Sequence, residues 1–102
     1  MKSSSSNTAV LLPIQFFTGQ IVATPSALRL LERHRIPPSQ LIERHIRADF
    51  GVVPPEDAEI NRAAIEHGDG RILSSYPVGG DRVWIITEWD RSLTTLLLPD
   101  EY

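Results

Sequence analysis

Apolar residues recur at helical spacing in three segments of the first two thirds of the chain. The segments are residues 25 to about 35, about 38–49 and about 55–68. Thr24 can accept a hydrogen bond from a free N–H at the start of the first helix, and Pro25 suits the first helical position. The pair Pro37-Pro38 must end this helix. The pattern therefore predicts that helices precede most of the strands.

From residue 71 onward, the apolar pattern changes to the spacing of strands. Three strands are predicted, over residues 71–78, 82–88 and 93–98. Gly79 marks the first turn, and Asp90 with Ser92 marks the second. Short turns between three strands predict an antiparallel meander. A further β-rich segment, residues 14–23, is interrupted by Gly19, which indicates a bulge or a tight turn.

The run from Val83 to Ile86 is apolar on both faces of its strand, which indicates a central position in the sheet. Helices are expected on one face, and the N-terminal strand, a bound partner or another copy of the chain on the other. The chain is thus predicted to be a single α+β domain over residues 9–102. Its two or three N-terminal helices should pack on a three- to four-stranded antiparallel sheet. Residues 1–8 are predicted to be a disordered tail.

Composition excludes several classes of function. None of the 102 residues is cysteine, so disulfide frameworks, thiolate metal sites and cysteine nucleophiles are excluded. Lys2 is followed by polar residues rather than by the apolar core of a signal peptide. No apolar run approaches the ~20 residues needed to span a bilayer. The sequence therefore predicts a cytoplasmic protein that has no membrane partner.

Charge is divided unevenly along the chain. Residues 1–50 carry six basic and three acidic side chains, whereas residues 51–102 carry four basic and ten acidic ones. The basic half is consistent with a face for an anionic partner or with the solvated surface of helices. The acidic half is too sparse to imitate the phosphate array of DNA.

Several stretches over about residues 16–102 form a recognisable set, which is most specific in the last third. They are residues 21–25 with Ala27 and Leu28, then His45, Asp49, Gly51, Asn61, Ser74 and Tyr76, and residues 84–88, 90–92, 94–95, 98–99 and 101–102. In these residues the chain resembles a family of small uncharacterised proteins encoded on bacterial plasmids and integrative elements. It departs from the family at Ala48, Phe50 and Trp89. The resemblance implies a gene carried by a mobile genetic element.

Members of this family often carry the label of a type I restriction endonuclease subunit M. An adenine methyltransferase needs an Asn-Pro-Pro-aromatic motif and a glycine-rich turn between a strand and a helix. The sequence has neither feature. The resemblance therefore implies a genetic setting and no chemistry.

The turn at residues 89–92 is the first candidate binding site. Asp90 and Ser92 are ordinary turn residues, but Trp89 and Arg91 are favoured at protein interfaces. Arg91 suits a carboxylate or a phosphate, or else it bridges to Asp90, Glu88 or the chain end. The leading hypothesis is a non-enzymatic accessory protein that binds an unidentified protein through this turn.

A metal-independent ribonuclease is the enzymatic alternative. His45 and Asp49 lie four residues apart on one helix face, so the carboxylate could orient the imidazole as a general base. The pair is equally consistent with a polar contact at the border of the core. Helices followed by a meander resemble the outline of barnase-like and RelE-like ribonucleases, and the candidate catalytic residues are then His45, Tyr76 and Arg91.

A DNA-binding regulator is the third alternative. The helical hairpin over residues 24–49 would present Arg44 and Arg47 to phosphates, although Glu43 and Asp49 share the second helix. The three histidines lack the spacing of metal ligands. No metal site and no cofactor are therefore predicted.

Overall fold

The computed structural model describes residues 13–102. The predicted tail at residues 1–8 lies outside the described residues. The helices are α1 (Pro25–Arg33), α2 (Pro38–Ile46) and α3 (Pro55–His67), and the strands are β1 (Gln20–Ala23), β2 (Ile72–Val78), β3 (Asp81–Thr87) and β4 (Leu93–Leu97). A short 3₁₀ turn, Pro99–Glu101, follows β4. The predicted α+β class and the helices-first order are confirmed.

The four described strands form one sheet in the order β1-β4-β3-β2. The antiparallel meander of β2, β3 and β4 is confirmed. The prediction of a purely antiparallel sheet is wrong, because β1 pairs with β4 in parallel, with Val22 opposite Thr95. The chain leaves β1 through three helices before it enters the meander. So long a connection, unlike a hairpin, permits a parallel pair.

The strand predicted over residues 14–23 is much shorter in the structure and begins at Gln20. Gly19 separates it from the preceding segment. Its φ is +62°, and a Cβ there would lie 2.4 Å from the carbonyl carbon of Ser92. Only glycine allows this close approach. Phe16, in the segment before Gly19, is buried in the core instead of continuing the strand.

The first two helices are each shorter than predicted. In α1, Arg33 is the last residue, and Arg35 has a left-handed backbone with a φ of 56°. In α2, Ile46 is the last residue, and Ala48 is left-handed with a φ of 66°. A left-handed residue ends a helix, because it turns the next N–H back toward earlier carbonyls. Asp49 therefore lies beyond the helix and not on its face.

The buried core lies between the helices and one face of the sheet. Leu30 and Leu31 of α1 and Leu41 of α2 pack against Val83, Ile85 and other inward side chains of the strands. Among the described helices, none is long and apolar enough to cross a membrane.

As predicted, β3 is an interior strand, and it shares that position with β4. Of the three covers suggested for the second face, the N-terminal strand is wrong, because β1 extends the edge of the sheet instead. On that second face Trp84 makes an edge contact with Tyr102 at 5.8 Å between ring centroids. The Arg71 guanidinium lies over the ring of Tyr102, 5.1 Å from its centroid.

Candidate functional site

Trp89 lies in the turn between β3 and β4 and is exposed to solvent. Its side chain is 64% exposed. The Asp90 carboxylate accepts hydrogen bonds from the backbone N–H of Ser92 at 3.1 Å and from its hydroxyl at 2.6 Å. These bonds lower the pKa of Asp90, the bond from the Ser92 side chain being the larger cause. Asp90 and Ser92 therefore fix the turn that presents Trp89.

The Arg91 side chain is half-buried and turns back toward the end of α3. Its backbone is left-handed, with a φ of 61°. The guanidinium donates to the backbone carbonyls of Gly70 at 2.7 Å and Ala64 at 3.0 Å, near the end of α3. It also donates to the carbonyls of Trp89 at 3.1 Å and Glu88 at 3.2 Å, within its own turn. Arg91 thus ties the turn to the C-terminal end of α3, where the Ala64 carbonyl also accepts from the N–H of Asp69 at 3.1 Å.

A second exposed aromatic residue lies in the segment that contacts this turn. Phe17 is 82% exposed, whereas its neighbour Phe16 is buried, with the Arg91 guanidinium 5.9 Å from its ring centroid. Gly19 packs against the backbone of the turn, and the N–H of Gln20 donates to the Ser92 carbonyl at 3.0 Å. We call the exposed side chains of Phe17 and Trp89, on these two contacting segments, the aromatic corner.

Phe17 was not a candidate from the sequence. The available signal is the pair Phe16-Phe17 in the β-rich segment at residues 14–23. Successive side chains of extended backbone point in opposite directions, so one of two adjacent aromatic residues must face away from the core.

His45 lies at the centre of a buried chain of hydroxyl groups. Its Nδ1 is 2.6 Å from the Ser74 hydroxyl, and its Nε2 is 2.9 Å from the hydroxyl of Thr87. The Thr87 hydroxyl is 2.8 Å from that of Thr94, which donates to the carbonyl of Thr18 at 2.8 Å. The three strands of the meander and α2 meet in this chain.

The hydrogen bond from Thr94 to the Thr18 carbonyl fixes which group donates in the bonds from Thr94 back to His45, because each hydroxyl has one proton to donate. The Thr94 proton goes to Thr18, so Thr94 accepts from Thr87, and Thr87 in turn accepts from Nε2 of His45. Nε2 of His45 therefore carries a proton, and because burial keeps the imidazole neutral, Nδ1 accepts from Ser74.

Burial lowers the pKa of His45 to about 3. The side chain is fully buried, and the edge of the Phe16 ring packs on the imidazole at 5.1 Å between centroids. A general base must reach the proton that it abstracts and should titrate near the working pH. The surroundings of His45 meet neither condition and instead suit a structural role.

The proposed partner of His45 is engaged elsewhere. The Asp49 carboxylate accepts from Nε of Arg44 at 2.7 Å, and this bond is the main reason that the pKa of Asp49 is lowered. Tyr76 is buried and donates its hydroxyl to the Asp49 carbonyl at 2.6 Å, while the Arg44 guanidinium lies 4.6 Å from its ring centroid. Burial is the largest cause of the raised pKa of Tyr76. The structure therefore does not bring His45, Tyr76 and Arg91 together on an exposed surface.

The arginines of the helical hairpin are partly neutralised. Arg44 pairs with Asp49 as above, and Arg47 pairs with Glu43 at 3.0 Å. Within residues 13–102, no group of three or more His, Cys, Asp or Glu side chains converges as a metal site would require. No family model, curated protein or solved structure matches this chain.

Proposed function

We propose that this chain is a non-enzymatic accessory protein that binds another protein through the aromatic corner. The observation that carries the proposal is the exposure of Phe17 and Trp89 on two segments that hydrogen bonds tie to the rest of the fold. Aromatic side chains, Trp above all, dominate the binding energy of protein interfaces. Most of the area of both side chains remains available for such contact.

The internal contacts of the turn favour binding because they reduce its entropic cost. Association loses free energy wherever side chains and loops must be ordered. Here Arg91 fixes the turn to α3, Asp90 and Ser92 close it, and Gly19 holds the neighbouring segment against it. A partner would need an apolar pocket for Trp89 and a hydrogen-bond acceptor for its indole N–H.

The alternatives have less support from the site. Ribonuclease chemistry at His45 would require the imidazole to leave two buried hydrogen bonds. DNA binding by the hairpin at residues 24–49 would require Arg44 and Arg47 to leave their carboxylates. We also propose, from the sequence resemblance alone, that the gene belongs to a mobile genetic element.

Photo-crosslinking in the native cell tests the proposal. We would replace Trp89 by the photoreactive aromatic p-benzoyl-phenylalanine, which preserves an exposed ring at the corner. A matched control carries the same replacement at Ile60, which is 62% exposed on α3. The proposal expects a discrete protein adduct from position 89 that is absent from position 60, and that Phe17→Ala weakens.

Two results would contradict the proposal. Equal adducts from both positions would mean non-specific contact with exposed apolar residues. An RNA or DNA adduct at position 89, with no protein adduct, would move the function to nucleic acid binding.

A further inference from the structure

One edge of the sheet is closed by the chain itself. The Asn61 side chain donates to the Leu73 carbonyl at 2.7 Å and accepts from its N–H at 3.0 Å. The next outward groups of β2 pair with backbone, since the Ser75 carbonyl accepts from Val52 at 2.8 Å and the Ser75 N–H donates to Phe50 at 3.0 Å. The following outward position is Pro77, which has no N–H. No further strand can add along β2.

The other edge, β1, has none of these features. The N–H of Gln20 donates to the carbonyl of Ser92 in the turn at 3.0 Å, and the N–H of Thr24 donates to the carbonyl of Leu96 in β4 at 2.9 Å. Since strand residues alternate in direction, the N–H and C=O groups of Ile21 and Ala23 point away from the sheet. Among residues 13–102, β1 pairs with β4 alone. Charged residues and proline, the usual protections of an edge strand, are absent from Gln20–Ala23.

We infer that the β1 edge pairs with the same edge of a second copy of this chain, to form a continuous eight-stranded sheet. Ile21 and Val22 are 44% and 37% exposed, and an uncharged edge meets no like charge when it pairs with itself. Because the outer edge of β2 is already paired or blocked by proline, β1 of one copy cannot pair with β2 of another copy. Association therefore stops at a two-fold dimer and does not continue into a filament.

The backbone selects one register for this dimer. When the two-fold axis of the dimer passes beside Val22, Ile21 of one copy lies opposite Ala23 of the other, and the two residues exchange both backbone hydrogen bonds. The same pair forms a second time on the other side of the axis. An axis at Ile21 would pair Ala23 with Gly19, whose φ of +62° departs from extended backbone. An axis at Ala23 would pair Ile21 with Pro25, which has no N–H and begins α1. The axis at Val22 avoids both problems.

The pairing strands are short, so the dimer is expected to be weak. A four-residue edge buries far less than the ~800 Å² per partner of a standard interface. We expect a dissociation constant on the order of 10–100 µM, within reach of sedimentation velocity on concentrated protein.

Disulfide trapping tests the register directly, because the chain has no cysteine of its own. At the axis the two copies of residue 22 face each other with Cα atoms about 4.5 Å apart, within the range that a disulfide spans. Under mild oxidation, Val22→Cys should form a covalent dimer about 10-fold faster than the control Ile60→Cys on α3. The unmodified chain should dimerise reversibly in sedimentation, and Val22→Lys should be monomeric.

Equal trapping rates for the two cysteine variants would overturn the inference. So would an unmodified chain that remains monomeric up to about 1 mM, well above the dissociation constant expected for so small an interface. Circular dichroism of each variant confirms that it is folded. Failure here would leave the aromatic corner untouched, because Val22 is not part of it, and photo-crosslinking at position 89 reports on the corner separately.

Discussion

Stability between pH 7 and pH 5 is expected to depend on His45. The pKa of its imidazole is lowered by burial from 6.5 to about 3 in the folded protein. An unfolded chain therefore binds a proton at this site below about pH 6.5, while the folded chain does not. Linkage then requires the free energy of unfolding to fall as the pH falls through this window.

The magnitude follows from the separation of the two pKa values. Each pH unit below the unfolded value removes ~1.4 kcal/mol of stability, so about 2 kcal/mol is lost between pH 6.5 and pH 5. By pH 3 the loss reaches about 5 kcal/mol, comparable to the whole stability of many small domains. Asp49 affects stability only at lower pH. Hydrogen bonding to Arg44 lowers the pKa of its carboxyl group from 3.8, so its contribution to the free energy of unfolding is lost only in more acidic solution.

Urea unfolding followed by circular dichroism at pH 7, 6 and 5 measures this dependence. The variant His45→Gln is the matched control, since its amide stays neutral throughout. The difference between the two proteins isolates His45 from every other titrating group. A wild-type stability that is constant from pH 7 to pH 5, or the same slope in His45→Gln, would refute the buried neutral imidazole.

Four further substitutions test the contacts that build the fold. Arg91→Ala should lower the free energy of unfolding by about 2 kcal/mol in thermal or urea melts, because it removes the charge-assisted hydrogen bonds that tie the turn to the carbonyls of Ala64 and Gly70, whereas Trp89→Ala should change it by less than about 1 kcal/mol. Equal effects would contradict the inward orientation of Arg91. Gly51→Ala should destabilise by more than about 2 kcal/mol in the same melts, because φ is +75° and the new Cβ would clash with a strand carbonyl; a neutral effect would mean that this approach is wrong. Asn61→Ala should speed amide exchange at Leu73 by about 10-fold, since it removes the bond at 3.0 Å that holds this N–H, and unchanged exchange would contradict the closed β2 edge.

Local pattern was enough to predict the order of the helices and the meander. Helical spacing, prolines at helix starts and short polar turns all act within a few residues. The parallel pairing of β1 could not be predicted this way. It depends on which edge of the finished meander remains free to accept Gln20–Ala23, and no local signal carries that information.

The candidate site shows the same limit. The sequence predicted that Trp89 and Arg91 share a turn, and it left open whether Arg91 serves a binding surface or bridges to Asp90, Glu88 or the chain end. The acceptors of Arg91 include Ala64 and Gly70, more than twenty residues away. The helix pattern placed His45 at the border of the core, but its partners lie on strands whose register sets the contact, so these could not be predicted from the helix alone.

The affinity of the captured partner for defined variants tests the central claim most directly. With the partner from position-89 crosslinking purified, isothermal titration compares the unmodified chain with Trp89→Ala and with Ile60→Ala. If the aromatic corner is the binding surface, Trp89→Ala raises the dissociation constant by at least ~30-fold, as the loss of an interface hot spot does, and Ile60→Ala leaves it unchanged. Unchanged affinity in a folded Trp89→Ala variant would contradict the proposed function.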